Sequence, residues 1–223
     1  MQFKKQFWTK ALGKGWALQL KDTLKTPYGT EKLMGFLQTE YAMNSVKPAK
    51  ADVFKAFKLC PWESVRVVII GQKPHTNICV ANGLAYGDKL SSQFYSPTIS
   101  VIYDQIEREY YNGLYLDFDF SLEGVLLLNR QLSIRENDRG EHTKPWGKFV
   151  SAVLNALGQK HGVIFMLWGK ENQKLAPYLE KNNYVLTFDD PADYVYPKKD
   201  WHCPHFKEAN KILEKLNGET IKW

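Results

Sequence analysis

The chain has 223 residues, 44% of them hydrophobic and 14% aromatic, which excludes a mainly disordered protein and allows a sizeable core in one large domain or at most two. A net charge of +6 and a pI near 9.0 suit an anionic partner but fall short of a dedicated basic arm. No stretch reaches the roughly 18 apolar residues of a membrane span, Met1–Lys10 lacks a signal peptide's apolar core, and the odd, widely spaced Cys60, Cys79 and Cys203 argue against a disulfide framework, so an intracellular protein away from membranes is expected.

Met1–Lys25 sets Phe3, Phe7, Trp8 and Trp16 among Lys4, Lys5, Lys10 and Lys14, which fits either a packing helix or a binding arm. In Thr30–Ala42, Leu33, Met34, Leu37 and Tyr41 recur at helical spacing. The first 50 residues therefore read as the helical N-terminal part of one domain spanning 1–223. Val53–Leu59 is a short helical turn before Pro61.

Val65–Ile70 is a short, mostly β-branched run that Gly71 ends abruptly, as expected of a strand buried on both faces of a parallel sheet. Ligands bind beyond the carboxyl ends of such strands, so Gly71–Thr76 is the first place to look for a site. Asn82–Gly87 brings Tyr86 near the same loop, and Ser91–Pro97 is a polar linker before a helix over Ile99–Tyr111 with Thr98 as its cap. Further strands are predicted at Val125–Asn129, Val163–Gly169 and Tyr184–Phe188, with helices opening at Pro145, around Leu175–Lys181 and over Phe206–Leu216. Strands alternating with helices imply an α/β fold of three layers, α/β/α.

The strand ends carry GQKPHT (Gly71–Thr76), VLLLN (Val125–Asn129) and DDPADY (Asp189–Tyr194). With GLAYG, MLWG and CPHFKEAN, this order resembles the family-1 uracil-DNA glycosylases from roughly Trp16 to Trp223. The corresponding family segments read GQDPYH, GL-x-F-S, GVLLLN and HPSPLS; Gly124–Asn129 and Trp168–Gly169 match outright. The resemblance implies a three-layer sandwich around a four-stranded parallel sheet, and no cofactor.

In that family, breaking the uracil N-glycosidic bond builds positive charge on the sugar and negative charge on the departing base. A first-loop carboxylate positions water and steadies the cation, and a last-loop His bonds the base oxygen. An Asn reads the base edge, an aromatic ring stacks on it, and a Leu fills the gap left by the flipped nucleotide. Carried over, Asn129 matches the reading Asn, Gln72 the loop Gln, and Tyr86 replaces the stacking Phe. Lys73 stands for the carboxylate, His75 for the Tyr that excludes the thymine methyl, and Thr76 for the following His. Asp190 replaces the base-polarising His, Ala192 a phosphate-contacting Ser, and Tyr194 the wedge Leu. A unit charge about 5 Å from the developing cation is worth roughly 3 kcal/mol at an effective dielectric of ~20, so Asp-to-Lys is a swing of about 6 kcal/mol, or roughly four decades in rate.

Two accounts of these exchanges follow. Lys73 and Asp190 pair across the cleft, or Lys73 serves as a Schiff-base nucleophile. The expected function is binding without uracil excision, to single-stranded or duplex DNA or to a replication or repair protein. An active glycosylase or lyase on a modified base is the alternative. Gln72, Lys73, His75, Tyr86, Asn129 and Asp190 would form the base pocket, and Thr98, Ala192, Tyr194, Lys198 and Lys199 the DNA-binding rim. The His202–His205 cluster lacks a second ligand group at metal-binding spacing, and Asp117 and Asp119 read as a solvated edge. A monomer of viral or phage type is expected from so compact and divergent a chain.

Overall fold

The computed structural model describes residues 2–76, 81–87, 96–110, 123–196 and 198–223. Cys79, Asp117, Asp119 and most of the 91–97 linker lie outside the described residues. Three helices open the chain, α1 (Gln2–Leu12), α2 (Lys14–Gln19) and α3 (Lys21–Lys25). They pack. Trp8 lies against Phe54 and Phe149, Trp16 against Phe57 and Trp62, and the Trp16 indole donates to the Cys60 carbonyl at 2.9 Å. Each buried indole removes on the order of 200 Å² from water, about 5 kcal/mol, which favours docking over a free arm.

The helix expected over 30–42 begins as a π-helical turn, Tyr28–Lys32, and continues as α4 (Leu33–Met43). Then follow β1 (Val46–Lys47), α5 (Lys55–Leu59), β2 (Val67–Gly71), α6 (Pro97–Glu109), β3 (Val125–Asn129), β4 (Ile134–Arg135) and α7 (Thr143–Gln159). The chain closes with β5 (Ile164–Trp168), α8 (Lys170–Gln173), α9 (Ala176–Leu179), β6 (Tyr184–Phe188), a 3₁₀ turn at Pro191–Tyr194, and α10 (His205–Asn217). Thr98 does not cap α6. Pro97 takes the first helical position, where its fixed φ is suited, and Ser96 precedes it. The helix expected around 175–181 is present as the single turn α9, and a further turn, α8, precedes it.

Among the described residues the main sheet has four parallel strands in the order β3-β2-β5-β6. Every residue of β2, β3 and β5 is buried. Successive side chains point to opposite faces, so helices must cover both. The edge strand β6 is only partly covered. A second, two-stranded sheet pairs β1 with β4 antiparallel, Val46 opposite Arg135 and Lys47 opposite Ile134. Its strands are too short for any periodicity to announce them.

Candidate functional site

The carboxyl ends of β2 and β3 place Gly71 opposite Asn129. A Cβ on Gly71 would stand 2.5 Å from Asn129 Oδ1 and 2.9 Å from Ala85 Cβ. Glycine is needed here for close approach: the Asn129 amide lies across Gly71, buried. The 82–87 segment crosses this floor, tied by the Ala85 N–H to the Leu127 carbonyl at 3.1 Å. It leaves Tyr86 at φ +54, with its ring 5.2 Å from that of Trp168 at the end of β5. Burial, then the Asp190 charge, pushes the Tyr86 hydroxyl up. Asn129 at the end of β3 and Trp168 at the end of β5 thus flank β2, with Tyr86 against Trp168 from the 82–87 segment.

Lys73 meets a partner that sequence alone did not reveal. Its ammonium donates to Asp138 Oδ2 at 2.9 Å, and Asp138 Oδ1 accepts from the Gly140 N–H at 3.0 Å. Burial raises the Asp138 carboxyl, but the bonds from Lys73 and Gly140 outweigh it and hold it below the usual carboxylate range. The expected Lys73–Asp190 pair is not formed, because Lys73 turns toward the segment after β4. The stretches on both sides of β4 are themselves anchored to the first loop. Buried Lys47 donates to the Thr76 carbonyl at 2.5 Å and to Glu136 at 3.2 Å, and the Gln131 N–H reaches the Gln72 carbonyl at 3.1 Å. The side chains of Gln72 and His75 remain exposed on this loop.

Asp190 faces β5 instead. A Cβ on Gly169, at φ +80, would be 2.9 Å from Asp190 Oδ2, while Oδ1 accepts the Ala192 N–H at 3.0 Å. Burial raises the Asp190 carboxyl pKa, opposed by that N–H. The Ala192 amide is therefore committed within its own loop, not offered to a phosphate. The Tyr194 hydroxyl donates to Asp189 at 3.0 Å, which holds the side chain back along the turn. Two residues on, Tyr196 is 88% exposed beside exposed Lys198 and Lys199, the former at φ +58. Thr98 is half-buried in the first turn of α6.

A buried chain of polar groups supports this end of the fold. Arg135 grips Glu40 through two 2.7 Å bonds, Glu40 meets His142 Nε2 at 3.1 Å, and His142 Nδ1 meets Ser133 Oγ at 2.9 Å. The order Ser, His, carboxylate is that of a hydrolase triad. Here it is structural: Ser133 and His142 are fully buried, and the Trp146 indole occupies Ser133 Oγ at 2.8 Å. In the His202–His205 stretch, buried His205 is likewise committed, accepting from the Trp168 indole at 3.0 Å, while His202 is exposed.

No protein-family model matches the sequence. The uracil-DNA glycosylase of Amoebophilus asiaticus is 31% identical over 214 residues, covering 93% of this chain and 96% of that protein. The chain belongs to the uracil-DNA glycosylase family. The uracil-DNA glycosylase of Oceanobacillus iheyensis is 32% identical, with 93% of each chain covered. The crystal structure of mimivirus uracil-DNA glycosylase shares the fold, with a TM-score of 0.80 at 19% identity over 94% of this chain and 86% of that one. Sequence reading of this glycosylase-family chain overlooked Asp138, Lys47 and Tyr196. Only Tyr196 had a local signal, an aromatic two residues before a lysine pair. Among the described residues no helix is long and apolar enough to cross a membrane.

Proposed function

We propose that this member of the glycosylase family binds DNA, single-stranded or duplex, around an exposed base and does not excise uracil. The observation that carries the reading is the ammonium of Lys73, held by Asp138 at 2.9 Å, on the loop where the family resemblance calls for a carboxylate. Paired at this distance the two charges largely cancel, so the loop offers no free carboxylate to steady a sugar that must become cationic.

The recognition groups fare differently. Asn129 remains under the strand ends as a base-edge reader, and Tyr86 against Trp168 supplies an aromatic wall. Exposed Tyr196 beside Lys198 and Lys199 offers a stacking ring next to phosphate-binding charge. Asp189, Asp190 and Asp193 oppose phosphate on this loop, although Asp189 and Asp190 already accept hydrogen bonds from Tyr194 and Ala192. The test is binding of single-stranded, duplex, uracil-containing and abasic DNA across a salt series. Affinity should fall steeply with salt and favour DNA with an unpaired base. Salt-insensitive behaviour without DNA preference would move the weight to a replication or repair protein as partner.

A second reading, base release from modified DNA, draws on Asp190. A carboxyl with a raised pKa stays neutral to higher pH and can donate a hydrogen bond to a base oxygen. On that reading, release increases toward acid. The lyase version is disfavoured, because the Lys73 amine must first leave Asp138 and lose its proton; an adduct trapped by borohydride on abasic DNA would restore it.

A further inference from the structure

A groove of about 350 Å³ runs between α1, α4 and the 50–58 segment, formed by none of the cleft residues. Its floor is hydrocarbon from Phe7, Met34, Leu37 and Phe54, and Phe7 is 38% exposed although large and apolar. The charged residues lining it are all cations: Lys10 on α1, Lys50 on the connecting segment and Lys58 on α5. All three are exposed, and among the described residues no salt bridge engages them. Asp52 lies near enough to act on the Tyr41 hydroxyl but does not line the groove.

We infer that this groove docks an acidic amphipathic helix from a partner protein, its apolar stripe on the floor and its carboxylates on the lysines. Charge complementarity selects an anionic occupant, and the distribution of charge selects among anions. The lysines come from three separate elements around an apolar strip. A helix with acids flanking an apolar i, i+3, i+7 stripe can answer several at once, whereas an amphiphile with one headgroup answers one. A nucleobase would find one edge partner, the exposed Gln38 amide, since the Tyr41 hydroxyl is already spent on the Pro48 carbonyl at 2.9 Å, and it would leave the three lysines unanswered.

The probe is a synthetic, fluorescein-labelled helical peptide with Leu in the stripe and Glu on both flanks, followed by anisotropy on the full chain. Companion peptides replace every Glu by Lys, or every Leu by Ala. The Glu/Leu peptide should bind, both companions should fail, and the exposed triple variant Lys10→Glu, Lys50→Glu, Lys58→Glu should weaken binding about tenfold or more at an unchanged unfolding midpoint. Phe7→Ala should weaken it without altering charge. Equal binding of the Glu and Lys peptides, undiminished binding by the triple variant, or displacement by oligothymidine would each overturn the inference. The cleft proposal stands or falls separately, since its DNA assay involves none of these residues.

Discussion

Lys73 and Asp138 share their ion pair unequally: the Asp138 side chain is 6% exposed and that of Lys73 47%. The carboxylate belongs to the fold, and the lysine covers it from solvent. Lys73→Ala leaves that carboxylate with the Gly140 N–H alone, at a cost of about 1 kcal/mol once solvent screening is allowed for. The folded pKa of Asp138 is depressed, so the pair's contribution is present above the unfolded value and is lost as pH falls through the folded one. Urea unfolding should separate wild type from Lys73→Ala at neutral pH and bring them together in strong acid.

Tyr196 and Tyr194 lie two residues apart and should behave oppositely. Tyr196→Ala removes an exposed ring and is expected to weaken single-stranded DNA binding by about 1–3 kcal/mol with no change in unfolding midpoint. Tyr194→Phe breaks only the bond to Asp189 and should leave DNA affinity where it was. Anisotropy with one labelled oligonucleotide reads both.

Gly71→Ala forces a methyl toward Asn129 Oδ1, 2.5 Å from where it must sit. Either the amide moves or the strand ends part, at roughly 1–3 kcal/mol. Preference for an exposed base should vanish while salt-dependent DNA affinity persists. Retained preference would show that Asn129 is not the reader.

His205 sets an acid limit on the fold. Burial lowers its pKa to about 4, opposed by the Thr187 carbonyl, and its Nδ1 accepts from Trp168. Between the ordinary histidine value and 4 the unfolded chain binds a proton that the folded chain does not, so stability falls with pH by up to about 3 kcal/mol. His205→Asn should flatten that slope in urea midpoints measured from neutral pH to pH ~4.

The sheet was legible because β2, β3 and β5 are buried on both faces and so write continuous apolar runs. The placement of the candidate residues was legible where they sit at a strand end, as Asn129 and the start of the 71–76 loop do. What stayed hidden depends on partners distant in sequence: Lys73 and Asp138 are 65 positions apart, Glu40 and His142 102. A buried carboxylate on a helix looks like a solvated one until its cations are in place. Asp190 was assigned a partner by family position, but the loop turned it onto Gly169 and Ala192.

The most direct measurement is release of labelled uracil from single-stranded DNA with the protein in large excess. The Lys73–Asp138 arrangement predicts none above the background of DNA alone. Release by the wild type that disappears in Lys73→Ala would contradict it.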